Sequence, residues 1–176
     1  MPAPMFIVCG APGAGKSTFA NNLRGTENAF IFETDNFFVD SIDKRTYHFN
    51  PKLLGIAHNW NQGEVIRACR DCPDVPVIVA NTFINTDELY PYLEIARANG
   101  RKVFIFRLLT EHDNVHGVGP ATVADKRVRA RAITAEQVQT RCKNLGYPVV
   151  YCVDIRDDGD ARFTAQCAHI KYFQRG

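Results

Sequence analysis

The stretch Gly10-Ala-Pro-Gly-Ala-Gly-Lys16-Ser17 satisfies the spacing G-x-x-x-x-G-K-[ST] at every fixed position. The loop Gly10, Ala11, Pro12, Gly13, Ala14 and Gly15 is the expected phosphate cradle: its glycines let backbone N–H groups converge on phosphate oxygens, because glycine adopts conformations closed to other residues. A helix starting at Lys16 and continuing through Ser17 and Thr18 adds the positive end of its dipole to the same point. Lys16 then reaches the β and γ phosphates, and the Ser17 hydroxyl ligates Mg²⁺. The chemistry implied is binding of a nucleoside triphosphate, with ATP and Mg²⁺ as the expected ligands.

A second candidate is Asp35, in Glu33-Thr-Asp-Asn-Phe-Phe38. A carboxylate placed beside the loop accepts the proton of an attacking hydroxyl or holds Mg²⁺, while phosphoryl transfer otherwise needs positioning and charge neutralisation. The competing reading of Asp35 is a helix N-cap or turn former, and Glu33 reads as structural. Further on, Ala80-Asn81-Thr82 lacks the acid that water-hydrolysing ATPases of the motor and AAA types carry at this kind of strand end. That absence shifts the reading toward a kinase. Asn81 and Thr82 can contact Mg²⁺-bound water or substrate phosphate, or can simply form a turn. Lys126-Arg-Val-Arg-Ala-Arg131 packs four cations into six residues, the composition of a lid that neutralises transition-state charge or of a solvated helix face. Arg127 and Arg131 stand four apart on one helical face and are the candidate catalytic cations. Arg129 points elsewhere, toward an acceptor or solvent. His58 and His116 receive no role, and Trp60 reads as a core anchor.

These residues need a scaffold. Apolar runs at residues 5–9, 30–34, 75–81, 103–108 and 148–153 predict strands. Helices are predicted at 16–24, at 51–70 with Asn50 as N-cap and Pro51 at the first position, from Asn85 or Thr86 up to Gly100, from the Thr134-Ala-Glu-Gln137 capping box to 145, and at 161–173. Residues 110–133 carry no clear apolar period and read as an excursion from the core. The alternation predicts a three-layer α/β fold with about five parallel strands, helices on both faces and a basic lid, its ligands at the carboxyl ends of the strands. If the first two strands are neighbours, Lys16 and Asp35 share that edge.

The 176 residues suit one domain, 1–176, with the lid at about 110–133. With 45% hydrophobic residues, 23% charged residues and a net charge of +2, the chain is neither disordered nor polybasic, so any nucleic-acid affinity must be local. No apolar run approaches the ~18 residues of a membrane helix, and the first residues do not read as a signal peptide. The scattered Cys9, Cys69, Cys72, Cys142, Cys152 and Cys167 suit reduced thiols, and the expected setting is cytoplasmic, without a membrane. Cys69-x-x-Cys72 lacks two further ligands at metal spacing, so no structural metal is expected.

Taken together, Gly10–Ser17, Thr34-Asp35 with Phe37-Phe38, Ala57-His-x-Trp-Asn-Gln62, Asn81-Thr82 and Asn114-Val-His-Gly-Val118 resemble the P-loop polynucleotide 5′-hydroxyl kinase family over residues 5–120. The resemblance implies transfer of a phosphoryl group from ATP to the 5′-hydroxyl end of DNA or RNA. It also implies that Asp35 activates the hydroxyl and that a lid arginine assists. Two positions depart from the family's pattern: Ala80 stands where an acid is common, and Asp113 where an arginine is. The arginine would then come from Arg127, Arg129 or Arg131, or the acceptor would differ: a nucleoside, a small metabolite or a hydroxymethylated base. A nucleotide-gated binding module is a nonenzymatic alternative.

Overall fold

The computed structural model describes residues 1–39, 43, 45–113 and 118–174. Strands β1 (Met5–Gly10), β2 (Phe30–Phe32), β3 (Val77–Asn81), β4 (Val103–Leu108) and β5 (Val149–Ile155) form one parallel sheet in the order β2-β3-β1-β4-β5. Every residue of β1 and β4 is buried, Arg107 of β4 included, as strands covered on both faces of a sheet must be. The covering helices are α1 (Lys16–Arg24), α2 (Leu54–Asp71), α3 (Tyr90–Ala98), α4 (Pro120–Arg131), α5 (Ala135–Asn144) and α6 (Asp158–Tyr172).

The period of two along β1 divides the core. Met5, Ile7 and Cys9 pack with Val65 and Cys69 of α2, Leu93 and Ala96 of α3, and Val138 and Cys142 of α5. Phe6 and Val8 face the other way, onto Phe19 and Leu23 of α1 and Ala165 and Ala168 of α6. Local signals mark two helix entries, although the one at Asn50 opens a 3-10 turn, Pro51–Leu53, and α2 itself begins only at Leu54. Asn50 Oδ1 accepts from the Lys52 amide at 3.0 Å, and Thr134 and Gln137 close a capping box. No helix of the described residues is long and apolar enough to cross a membrane.

Several expectations are corrected. β1 and β2 are not neighbours: β3 lies between them. Its four buried residues Val77 to Ala80 need cover on both faces, whereas the three half-buried residues of β2 suit an edge. β2 stops at Phe32, because residues Thr34–Phe38 wind into a 3-10 turn. The third strand begins at Val77, since Pro76 has no N–H for a ladder. The fifth reaches Ile155, and α6 starts earlier than predicted because Asp157 caps it, accepting from the Asp160 amide at 2.7 Å. The excursion at 110–133 contains the twelve-residue α4, opened by Pro120 just after Gly119. Residues 114–117, with His116 and most of the Asn114-Val-His-Gly-Val118 motif, lie outside the described residues.

At the amino edge of the sheet, Arg101 is wholly buried. Its guanidinium donates to the carbonyls of Ala3 (3.0 Å), Val75 (2.8 Å), Cys72 (2.9 Å) and Cys69 (3.4 Å). The Cys69-x-x-Cys72 segment thus holds an arginine through its backbone.

Candidate functional site

The carboxyl end of β1 turns into α1 through the glycine-rich loop. Gly13 and Gly15 adopt φ of 80° and 89°, conformations costly for any residue with a Cβ. A Cβ on Gly10 would lie 2.7 Å from that of Ala14. The loop is also held from outside. The Gly10 amide donates to the Thr82 carbonyl at 3.2 Å and the His112 amide to the Gly13 carbonyl at 2.8 Å. Thr110 Oγ1 donates to the Ala14 carbonyl at 2.6 Å. No side chain caps α1, so its first N–H groups are left to the cradle.

Lys16 Nζ folds back on the carbonyls of Gly10 (2.9 Å) and Ala11 (3.2 Å). Burial pulls its pKa below the ordinary lysine value, opposed by the carboxylates of Asp35 and Glu33. Ser17 Oγ donates to Glu33 Oε1 at 2.8 Å. Glu33 therefore belongs to the cradle, a placement the sequence reading missed. A visible signal existed: an acid at the carboxyl end of β2, two residues before Asp35. A hydroxyl beside a carboxylate is a donor set for a hard cation such as Mg²⁺. The left-handed glycines, the free helix amides and a lysine satisfied only by loop carbonyls fit a phosphate. The residues present thus fit a metal-bound nucleotide.

Asp35 is exposed and is the second residue of its 3-10 turn, with Glu33 at the cap position, so it is a turn residue and not an N-cap. Tyr47 donates its hydroxyl to Asp35 Oδ1 at 3.4 Å. Burial, then the Asp35 charge, pushes the Tyr47 phenol up to about 12. Asn81 ties this turn to the sheet: its Oδ1 accepts from the Thr34 amide at 2.8 Å, and its Nδ2 donates to the Tyr92 hydroxyl at 3.4 Å. Buried Asn61 donates to the same hydroxyl at 2.8 Å, and His58 Nδ1 stands 3.4 Å from Thr34 Oγ1. Asn81 thus positions the acid-bearing turn, and Thr82 contributes a carbonyl to the loop. Trp60 is not a core anchor: it is 36% exposed and packs on Phe37 at 5.7 Å.

The structure separates the arginines of α4 as their spacing implies. Arg127 donates to the His112 carbonyl at 3.1 Å, with Glu111 at 3.8 Å, and Arg131 reaches Glu111 at 2.6 Å and the Leu109 carbonyl at 2.8 Å. Arg129 turns away to Asn85 at 2.7 Å and Asp125 at 3.7 Å. The charge of Lys126 adds a small further lowering to the Lys16 pKa. A buried ion pair anchors α4 from below. Arg107 reaches Asp154 at 2.6 Å, the Ile133 carbonyl at 2.9 Å and the Ala130 carbonyl, while Asp154 Oδ2 accepts from the Ala135 amide at 3.0 Å.

The family described as AAA domain matches residues 5–144. Human NEDD4-binding protein 2 is 33% identical over 104 residues, a stretch that is 58% of this chain and 6% of that protein. Among solved structures, the Deinococcus radiodurans tunicamycin resistance protein superposes with a TM-score of 0.58 at 20% identity, covering 96% of this chain and 95% of that one. Shikimate kinase from Acinetobacter baumannii gives a TM-score of 0.52 at 15% identity, covering 98% and 94%. At these identities the likeness shows the fold alone, that of P-loop NTPases.

Proposed function

The chain belongs to the AAA domain family, and from that premise we propose that it is a Mg²⁺-dependent kinase moving the γ-phosphoryl group of ATP to the 5′-hydroxyl end of a polynucleotide. The observation that carries this reading is the exposed Asp35 carboxylate, on the same sheet edge as the phosphate loop and near enough to act on the Lys16 ammonium. Asp35 takes the proton of the attacking hydroxyl as the new O–P bond forms and the β–γ bridge breaks. Lys16 leaves its loop carbonyls for the β and γ phosphates, and the loop amides hold the charge that grows on the leaving oxygen. Ser17, with Glu33 or Asp35, would hold Mg²⁺, which supplies charge neutralisation when bound. Arg127 and Arg131 of α4 are the candidate catalytic cations, supported by their bonds to residues 109–112, which themselves hold the loop. Arg129 and Thr82 are the candidate acceptor contacts.

The strand end Ala80-Asn81-Thr82, which lacks the acid that hydrolytic ATPases carry there, favours transfer to an alcohol over transfer to water. A nucleic-acid acceptor is supported by the motifs shared with 5′-hydroxyl kinases. A kinase of a small hydroxyl compound is the second reading, favoured by the pairing of Arg127 and Arg131 with Glu111, which lowers their value as a phosphate track. The test is transfer from γ-labelled ATP to a panel of 5′-hydroxyl oligonucleotides, nucleosides and sugars. Label on the oligonucleotide 5′ ends, lost in Asp35→Asn, is expected. Label confined to nucleosides or sugars overturns the polynucleotide assignment, and no transfer to any alcohol overturns the kinase itself.

A further inference from the structure

Beside Asp35 the surface is aromatic and basic in alternation. The run Arg45-Thr-Tyr47-His-Phe49-Asn-Pro-Lys52 places two rings between cations. It folds back on the acid-bearing turn: Val39 and Tyr47 form an antiparallel bridge, and the His48 amide donates to the Phe38 carbonyl at 2.7 Å. The rings of Tyr47 and Phe49 are parallel to within 8° with centroids 6.2 Å apart, and both lean on the buried Phe38, at 6.2 and 5.1 Å. Phe37 continues the row at 5.3 Å from Phe38, and Trp60 follows at 5.7 Å from Phe37.

These rings are not spent on the core. Phe49 is 50% exposed and Trp60 36%, more apolar surface than a solvated loop needs to show. Among the described residues, Arg45 and Lys52 make no ion pair and donate only through their backbone amides, to Asp43 and Asn50. One end of the row is fixed chemically, because Tyr47 carries both a ring and the hydroxyl that meets Asp35.

We propose that this row is a stacking shelf for the bases at the 5′ end of a single-stranded acceptor, with Lys52 and Arg45 taking its phosphates. The proposal rests on the polynucleotide reading of the site and names what that reading leaves open, the form in which the acceptor is held. A ring face accepts any base, and flanking cations take the backbone, so such a surface binds single strands with little sequence preference. A base-paired end keeps its bases stacked on each other and offers the shelf less. Asp43, which accepts from the amides of Arg45 and Thr46, stands near the Arg45 end and repels phosphate there. The backbone therefore runs chiefly past Lys52.

The chain has one tryptophan, so the test needs no turnover. Trp60 fluorescence is titrated, without ATP, with a 5′-hydroxyl oligothymidylate and with the same strand carrying abasic sites at its first two positions. Saturable quenching is expected, with Kd weaker by about 5- to 150-fold per stacked base removed. Phe49→Ala should weaken the base-bearing strand and leave the abasic one unchanged, with Phe49→Tyr restoring affinity. Lys52→Ala should flatten the salt dependence by roughly one counterion. Equal binding of base-bearing and abasic strands by the unaltered protein overturns the shelf, whatever becomes of the variants. So does a dimer that buries Phe49, seen by sedimentation, and that the oligonucleotide does not dissociate. Quenching as expected without phosphoryl transfer keeps the shelf and removes the kinase reading. Transfer at equal efficiency to both strands does the reverse.

Discussion

Arg107→Met should destabilise the protein by about 3–5 kcal/mol, the cost of leaving one partner of a buried ion pair without the other. The side chains of Arg107 and Asp154 are only 8% and 13% exposed and meet at 2.6 Å. Methionine replaces much of the arginine stem, so lost packing is small and the loss is electrostatic. Asp154 keeps a single donor, the Ala135 amide, and the carbonyls of Ile133 and Ala130 lose theirs. For a chain of this length each kcal/mol is worth roughly 2–4 °C, so Tm should fall by about 6–20 °C. The Ala130 carbonyl belongs to the last turn of α4 and that of Ile133 follows its end, so the folded fraction should also turn over more slowly at unchanged ATP affinity. Urea unfolding followed by circular dichroism, with calorimetry and kcat on the same preparations, measures all three. Arg107→Met/Asp154→Leu removes both charges and should be less destabilised than the sum of the single changes by more than about 2 kcal/mol. A loss under about 1 kcal/mol for Arg107→Met, or an additive double variant, would refute the clamp.

Asp35→Asn should keep ATP affinity and thermal stability while kcat drops by about 10²–10⁴, whereas Lys16→Ala should abolish transfer and weaken ATP binding in a folded protein; rapid-quench kinetics and calorimetry separate the two. Arg127→Ala or Arg131→Ala should lower kcat by roughly two to four powers of ten, while Arg129→Ala should raise acceptor KM and flatten its salt dependence by about one counterion; steady-state kinetics at two salt concentrations shows which. Burial pushes the thiols of Cys9 and Cys142 up to about 12 and about 11, so at about pH 8 a thiol reagent should modify exposed Cys167 first and reach those two only on unfolding. Burial lowers the Lys16 pKa, so between its folded value and the ordinary 10.5 the unfolded chain binds more protons and stability rises with pH. In that window phosphate binding restores the ammonium, and calorimetry in two buffers of different ionisation enthalpy should record proton uptake.

The phosphate loop was legible because its chemistry is written in adjacent residues, as were the helix entries at Asn50 and Thr134, where cap and acceptor are two or three positions apart. What was hidden depends on distant residues. Ser17 and Glu33 are 16 apart in sequence, Thr34 and Asn81 are 47 apart, and Arg107 and Asp154 are 47 apart. Strand order was hidden too, because it depends on which strand obtains cover on both faces. Helix α4 escaped because Val123 is its one buried residue, leaving no apolar period to read. Trp60 was misplaced because size and hydrophobicity do not tell a core residue from one left partly at the surface.

The bonds that leave β4 have a thermodynamic consequence. Thr110 and His112 hold carbonyls of the phosphate loop, and the carbonyls of Leu109 and His112 are held in turn by Arg131 and Arg127 of α4. Loop and helix therefore share one four-residue splint. Linkage between them runs equally in both directions: if a bound triphosphate firms the splint and steadies α4, then an acceptor that steadies α4 must tighten the triphosphate by the same factor. Substrate synergy in this protein would then be a property of residues 109–112, which need touch neither substrate.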